Sequence, residues 1–177
     1  MTVAAADPAL NNYISALRSL WKDGSATDSA TALLVRDRMR QWLSETETDA
    51  EWVQTLKREQ LAKRCLHSDP DHGFMQMSHF HEGHRGNTPH DHGPYWVVYG
   101  VMEGRVDIPV YEVNADGETV REVRVDRLSA GDAVAYLPGE LHSTLVPTDE
   151  PAIVVRFLSQ DLSKVPRQRF RNEQIVA

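Results

Sequence analysis

The chain has 177 residues, enough for one well-packed domain with a short extension. Its formal net charge of -7 excludes a large phosphate-binding surface, because nucleic-acid affinity comes mostly from clustered lysine and arginine side chains. A single cysteine, Cys65, excludes an intramolecular disulfide; with no export signal and no apolar run of about 18 residues, we expect a cytoplasmic protein that binds neither nucleic acid nor membranes.

Residues 1–60 are predicted to form a helical extension packed on the rest of the chain. Asp7 and Pro8 have the form of a helix N-cap and first helical position. A second helix is predicted from about Asp28 to Leu43, and a third from the capping box Thr48-Asp-Ala-Glu51. The apolar residues of the first helix repeat at the three-four spacing of one buried face: Leu10, Tyr13, Ile14, Leu17, Leu20 and Trp21.

After Asp69-Pro70-Asp71 the pattern changes from helical to strand-like. The run Val123-Arg-Val-Asp126 alternates apolar and charged residues, which is typical of a half-buried strand. Many short strands joined by Gly, Pro and Asp turns predict a closed barrel or sandwich over residues 61–165. The tail, 166–177, has no assigned element. The predicted strands are 74–81, 95–102, 105–113, 119–128, 133–137, 143–146 and 152–158.

Three histidines are predicted to bind a metal ion. His90 and His92 are separated by one residue, so both imidazoles point to the same face of an extended strand. A second strand-like run supplies His142 shortly after a Pro-Gly turn. Three imidazoles leave coordination positions open, which is typical of substrate or oxygen chemistry rather than of a structural site. No acid follows His92 at the spacing of a carboxylate ligand, and Glu103 lies one strand length later, beyond reach.

Five of the eight histidines fall between His79 and His92, so three further histidines lie close in sequence to the His90–His92 pair. His79 and His81 share one strand face, and His84 follows in a loop. A second or alternative metal site is one interpretation, and partly buried histidines bonded to the backbone are the other. The sequence favours the second.

Two segments resemble the signature motifs of the cupin superfamily. The first is Pro89-His-Asp-His-Gly followed by Val98-Tyr-Gly-Val-Met-Glu-Gly104, and the second is Gly131-Asp-Ala-Val-Ala-Tyr-Leu-Pro-Gly-Glu-Leu-His142. The absence of a glutamate from the first motif, together with the run from Glu82 to His92, resembles the cysteine dioxygenase-like thiol dioxygenases. The resemblance covers about residues 60 to 160. It implies a mainly β protein, a cupin double-stranded β-helix (jelly-roll) barrel, here with an N-terminal α-helical layer.

The resemblance also implies a cofactor and a reaction. Proteins of that family hold mononuclear Fe(II) with three histidines, at positions that correspond to His90, His92 and His142. They use O2 to convert a small thiol to a sulfinate. An arginine before the first barrel strands holds the substrate carboxylate, and Arg64 falls at about that place. The cysteine that some members cross-link to tyrosine corresponds to Val97, so no cross-link is expected.

One family feature differs in this chain. The Ser-x-His-x-Tyr triad of the family's late strand is replaced by Val154, Arg156 and Leu158. Arg156 interrupts an apolar run, and an inward arginine requires an acidic partner or an anionic ligand. Arg156 is therefore a second candidate for the carboxylate-binding residue. Three tyrosines are candidates for the missing hydroxyl: Tyr95, Tyr99 and Tyr136, of which we select Tyr136.

Three functional hypotheses follow. The first is an iron-dependent dioxygenase that oxidises cysteine or a 3-mercaptopropionate-like thiol carboxylate, with Arg64, Arg156 and Tyr136 as its catalytic residues. The second is a non-catalytic cupin that binds a small anion. The third is a cupin enzyme with another divalent metal, because imidazole ligands also suit zinc, nickel, copper and manganese. A monomer and a homodimer both remain open.

Overall fold

Three helices occupy the N-terminal part of the computed structural model, which describes residues 7–166 and 170–172. They are α1 (Pro8–Leu20), α2 (Ser29–Glu45) and α3 (Glu51–Glu59). Asp7 caps α1 as predicted, because its side chain accepts a hydrogen bond from the Leu10 amide at 2.8 Å. Among the described helices, none combines the length and the apolar character needed to cross a bilayer.

The predicted capping box Thr48–Glu51 does not form. The helix begins at Glu51 instead, after Ala50, whose side chain has no atom that could accept a hydrogen bond. The Glu51 carboxylate accepts a hydrogen bond from the Thr55 hydroxyl at 2.9 Å and therefore does not reach back to a capping residue. The helix itself is confirmed.

The strands of the described chain form two sheets. The five-stranded sheet has the order β1-β2-β8-β3-β6, and the four-stranded sheet has the order β7-β4-β5-β9. Neighbouring strands are antiparallel, except that β9 runs parallel to β5. This arrangement confirms the predicted fold class, a mainly β jelly-roll barrel with an N-terminal helical layer. The strands are β1 (Arg64–Ser68), β2 (Met75–His81), β3 (Val97–Glu103), β4 (Arg105–Val113), β5 (Thr119–Ser129), β6 (Ala133–Tyr136), β7 (Leu141–His142), β8 (Ala152–Leu158) and β9 (Arg171–Asn172).

The five-stranded sheet is covered on both faces, which explains why β3 and β8 are apolar at nearly every position. Its outer face packs on the helices through residues such as Val155 and Phe157. Its inner face, with Tyr99 and Val154, packs on the four-stranded sheet. Alternate residues of one strand therefore belong to two different cores. Only the inner one contains the predicted site.

Three strand predictions differ from the structure. Arg64 is the first residue of β1, which pairs with β2. This strand was not predicted, because it directly follows a helix-like sequence. Residues 143–146 form no strand; β7 is limited to Leu141–His142, and Leu145 makes only isolated bridges. In the tail, for which no element was predicted, Arg171–Asn172 pairs with β5. Each of these segments is two to five residues long, too short for a periodic pattern to appear.

Candidate metal centre

His90, His92 and His142 come together inside the barrel. Their ligand atoms lie within 4.8 Å of one another, and the Nε2 atoms of His92 and His142 are 3.3 Å apart. Their exposed fractions are 6%, 3% and 0%. The three histidines predicted from spacing therefore form one buried cluster.

Backbone hydrogen bonds hold the two histidine segments together. The His90 amide donates to the His142 carbonyl at 3.0 Å, and the His142 amide donates to the His90 carbonyl at 3.1 Å. His142 also pairs with Val110 of β4. These bonds do not use the imidazoles. The backbone therefore holds the two segments together without occupying the ring nitrogens that could bind a metal ion.

The cluster fits a divalent transition metal. The Thr88 carbonyl lies 3.0 Å from His90 Nδ1, and since a carbonyl only accepts, that nitrogen carries a proton and, in a neutral ring, Nε2 carries the lone pair. Two imidazole Nε2 atoms 3.3 Å apart, as in His92 and His142, either share a proton or bind a common cation. Neutral imidazoles suit iron, zinc, copper and nickel.

No carboxylate joins the three histidines within the described part of the chain. The segment after the histidine pair, where a carboxylate ligand would be expected, instead carries the fully buried Val97 on the inner face of β3. Glu103 lies at the far end of β3 and forms an ion pair of 2.5 Å with Lys57 of α3. Glu103 is therefore not a member of the cluster, as the sequence led us to expect.

Two tyrosines contact the ring of His142. The Tyr99 hydroxyl lies 3.3 Å from His142 Nε2, and the Tyr136 ring stacks on the imidazole with centroids 4.2 Å apart. The Tyr136 hydroxyl donates a hydrogen bond to Asp126 at 2.9 Å. Of the three tyrosines considered, Tyr99 therefore places its hydroxyl beside a candidate ligand nitrogen, whereas Tyr136 supplies a flat ring whose hydroxyl is already engaged.

Asp126 was missed by the sequence reasoning. The alternation of Val123-Arg-Val-Asp126 suggests that the valines face the core, yet Val123 is exposed and Asp126 is partly buried, as is Val125. Asp126 is paired with Ile108, an inner-face residue of β4, so its side chain enters the barrel beside Tyr136. The inward orientation of Asp126 is visible only from the strand register. It is tolerated because the carboxylate accepts hydrogen bonds from Tyr136 and Arg124.

The structure places the two candidate arginines differently. Arg156 lies opposite Met77 and Tyr99 on the inner face of its sheet, and its guanidinium carbon is 5.9 Å from the Tyr99 ring centroid. Arg64 lies opposite Ser78, whose side chain is on the outer face toward the helices. The structure therefore brings Arg156 near the three histidines and does not bring Arg64 there.

Two of the remaining histidines line the inner face of β2. The rings of His79 and His81 stack with centroids 5.7 Å apart, and His79 Nδ1 is 3.1 Å from the Ala62 carbonyl. Burial, followed by the charge of Arg156, lowers the pKa of His79 to about 3 and also lowers that of His81. His84 is exposed and bonded to Asp149 at 2.7 Å.

The stacked Tyr136 ring provides a test of how His142 is held. Tyr136→Leu should weaken the affinity of the metal-free protein for Co(II) by about tenfold, because residues that fix a ligand's orientation typically contribute that much. Tyr136→Phe is the matched control: it keeps the ring and loses only the hydroxyl bond to Asp126, so it should stay closer to wild type. Titration followed by Co(II) absorbance measures both, and equal affinity for Tyr136→Leu and wild type would contradict the role of the ring.

No family model and no curated protein match the chain. Solved structures with a similar fold include an uncharacterized conserved protein with a double-stranded beta-helix domain from Klebsiella pneumoniae, at 16% identity over 62% of this chain and 83% of that chain, with a TM-score of 0.45. A Cupin 2 conserved barrel domain protein from Salinispora arenicola has 22% identity over 54% of this chain and 71% of that chain, with a TM-score of 0.41.

An oxalate oxidase is also similar, at 19% identity with a TM-score of 0.45. The match covers 62% of this chain but only 55% of the oxalate oxidase. The first two of these neighbours are named as double-stranded β-helix and cupin proteins, and at this level the similarity assigns no function to the chain. None of the three names points to a thiol dioxygenase, so that part of the resemblance stays a prediction.

Proposed function

We propose that the protein is a mononuclear non-haem iron dioxygenase that oxidises a small thiol carboxylate to a sulfinate with O2. The observation that supports this function best is the buried cluster of His90, His92 and His142, with no carboxylate ligand in the described part of the chain. Such a centre has open coordination positions, unlike a structural site filled by four protein ligands. In the overall reaction one thiol and one O2 give one sulfinic acid, so both oxygen atoms end on sulfur and no further reductant is needed.

Iron supplies the redox chemistry when it is bound, and the side chains around it orient the substrate and control water. The Thr88 carbonyl fixes the orientation of His90, and the Tyr136 ring fixes that of His142. The Tyr99 hydroxyl, 3.3 Å from His142 Nε2, would be available to donate a hydrogen bond to a substrate held beside that residue. Val97 and Leu158 are paired across β3 and β8 and belong to the apolar inner core of the barrel.

A carboxylate on the substrate is proposed because of Arg156. This arginine lies on the inner face of the barrel, and among the described residues it forms no ion pair with an acid. Its Nε atom is buried and has no hydrogen-bond partner in the part of the chain that the structure describes. A guanidinium in that position is stabilised by an anionic ligand, and its planar fork suits a carboxylate.

The same residue favours a second candidate function, a non-catalytic cupin that binds a small anion. Arg156 stands where thiol dioxygenases have the histidine of their triad, and Val154 and Leu158 replace the serine and tyrosine. Because the triad residues are replaced while an arginine is present, the site could bind an anion without catalysing a reaction. A cupin enzyme with another divalent metal is the third candidate, because the three imidazoles do not select iron.

An oxygen-uptake experiment separates these functions. Anaerobically iron-loaded protein should consume one O2 per thiol with 3-mercaptopropionate or cysteine, and mass spectrometry should show a product heavier by two oxygen atoms. Ethanethiol, which has no carboxylate, is the control substrate and should react much more slowly. Robust iron loading without oxygen uptake over a broad thiol panel would rule out the dioxygenase, and faster thiol oxidation with another metal would identify the third candidate.

A further inference from the structure

The inner faces of β2 and β8 carry a group of nitrogen-bearing side chains that the metal centre does not use. His79 and His81 lie on β2, and Arg156 lies on β8, where it is directly opposite Met77. His79 and Arg156 are therefore diagonal neighbours on one face, and such neighbours are roughly 7–8 Å apart, with their Cβ atoms somewhat closer. Together they form a basic patch inside the barrel.

Two buried atoms of this patch have no hydrogen-bond partner among the described residues: His79 Nε2 and Arg156 Nε. His79 Nδ1 donates to the Ala62 carbonyl, so in a neutral ring Nε2 carries the lone pair. A buried polar atom without a partner destabilises a folded protein unless a ligand or water satisfies it. An anion between them would accept from Arg156 directly, and from His79 once Nε2 is protonated.

The charged groups that shift the pKa values of the two histidines are cationic. His79 feels the charges of Arg156, His81 and Lys63, and His81 feels those of Arg156 and Arg85. Tyr99 of β3 lies under the Arg156 guanidinium. Burial is the first reason that the pKa of each histidine is low, and these cations are the second. An anion that neutralises the charge of Arg156 would raise the pKa values of both His79 and His81.

We propose that Arg156, His79 and His81 form a binding site for one carboxylate-sized anionic group, and that the His79–His81 pair takes up one proton from solvent when the anion binds. The proposal rests on the proposed function only in assigning this anion to the substrate carboxylate. The proton moves from water to an imidazole Nε2, so anion and proton enter together. Anion affinity therefore increases as the pH falls, by up to about tenfold per pH unit between the pKa values of the free and bound states.

Propionate is the probe for this site, because it has the carboxylate and lacks the thiol. Calorimetric titration of the full-length protein under argon, in two buffers with different ionisation enthalpies, gives the affinity and the number of protons taken up. We expect uptake approaching one proton and tighter binding at about pH 6 than at about pH 8. Binding without proton uptake would overturn the coupling.

Variants assign the result to residues. Arg156→Met should weaken propionate binding by at least about tenfold, and Arg156→Lys should recover part of the loss and show that the barrel tolerates substitution here. A double variant, His79→Gln with His81→Gln, should still bind propionate but with little proton uptake and a flat pH profile. Arg127→Gln is the control, because Arg127 is an exposed arginine of β5 near Asp107. Unchanged affinity in Arg156→Met, or undiminished proton uptake in the double variant, would overturn the proposal.

The two proposals fail separately. Intact propionate binding in a protein that does not oxidise thiols removes the dioxygenase and keeps the anion site. Thiol oxidation in a protein that does not bind propionate keeps the dioxygenase and removes the anion site. Repeating the titration with metal-free protein identifies any binding to the metal itself, because a carboxylate held by Arg156 and the two histidines binds with or without the ion.

Discussion

Substituting His142 with alanine should abolish metal retention. His142 is the single member of the cluster outside the His90–His92 pair, and its Nε2 lies 3.3 Å from that of His92. Outer residues that only orient a metal ligand contribute about tenfold to a hundredfold in affinity, so loss of a ligand itself should reduce affinity by more than about a hundredfold. Metal analysis after dialysis against a weak chelator measures this loss.

The fold should survive this substitution, because the hydrogen bonds that join the two histidine segments do not use the His142 side chain. The His142 amide and carbonyl bond with those of His90, and alanine keeps both bonds. Circular dichroism should therefore show an unchanged spectrum. His84→Ala is the matched control: it removes an exposed histidine bonded to Asp149 and should retain metal fully. Full metal occupancy in His142→Ala would remove this residue from the site.

The metal cluster was predictable from sequence because its signal is local. One intervening residue places His90 and His92 on one face, and a Pro-Gly turn before His142 marks the second segment. Turn residues between the strands predicted a closed barrel or sandwich, and the jelly-roll fold was implied by the resemblance to the two cupin motifs. The turn signals and the motifs are all runs of neighbouring residues.

The substrate side of the site was not predictable in the same way, because it depends on strand register. Arg64 and Arg156 are both arginines near strand ends in sequence, yet pairing with Ser78 directs the first toward the helices while pairing with Met77 and Tyr99 directs the second inward. A shift of one residue would reverse either outcome. No local pattern reveals which register the long-range pairing selects.

The same dependence explains Asp126. Alternation in β5 shows that charged and apolar residues face opposite ways, but it does not say which face is the core. Apolar residues are usually inward, and here a hydrogen bond from Tyr136 and an ion pair with Arg124 make the carboxylate acceptable on the inner side. Hydrophobicity alone therefore cannot predict which face of a strand is buried when a polar residue on that face has hydrogen-bond and ion-pair partners.

Phe157→Ala should cause the second large effect, on stability rather than on metal binding. Phe157 is fully buried on the outer face of β8, where it stacks on Trp96 with centroids 5.4 Å apart and contacts Phe74 and Trp21. Truncating a buried phenylalanine to alanine lowers the free energy of unfolding by about 3–5 kcal/mol, since apolar contacts are lost and a cavity remains. Urea denaturation of metal-free protein measures the change.

Metal binding by the folded Phe157→Ala protein should be nearly unchanged. Phe157 faces the helical layer, whereas its neighbours Arg156 and Leu158 face the barrel interior, so the cavity opens on the side away from the three histidines. Val123→Ala, at an exposed position of β5, is the control and should change stability by less than about 0.5 kcal/mol. His142→Ala and Phe157→Ala thus predict opposite outcomes, one folded without metal and the other less stable with metal. Loss of metal affinity in folded Phe157→Ala protein would show instead that the helical layer helps to hold the site.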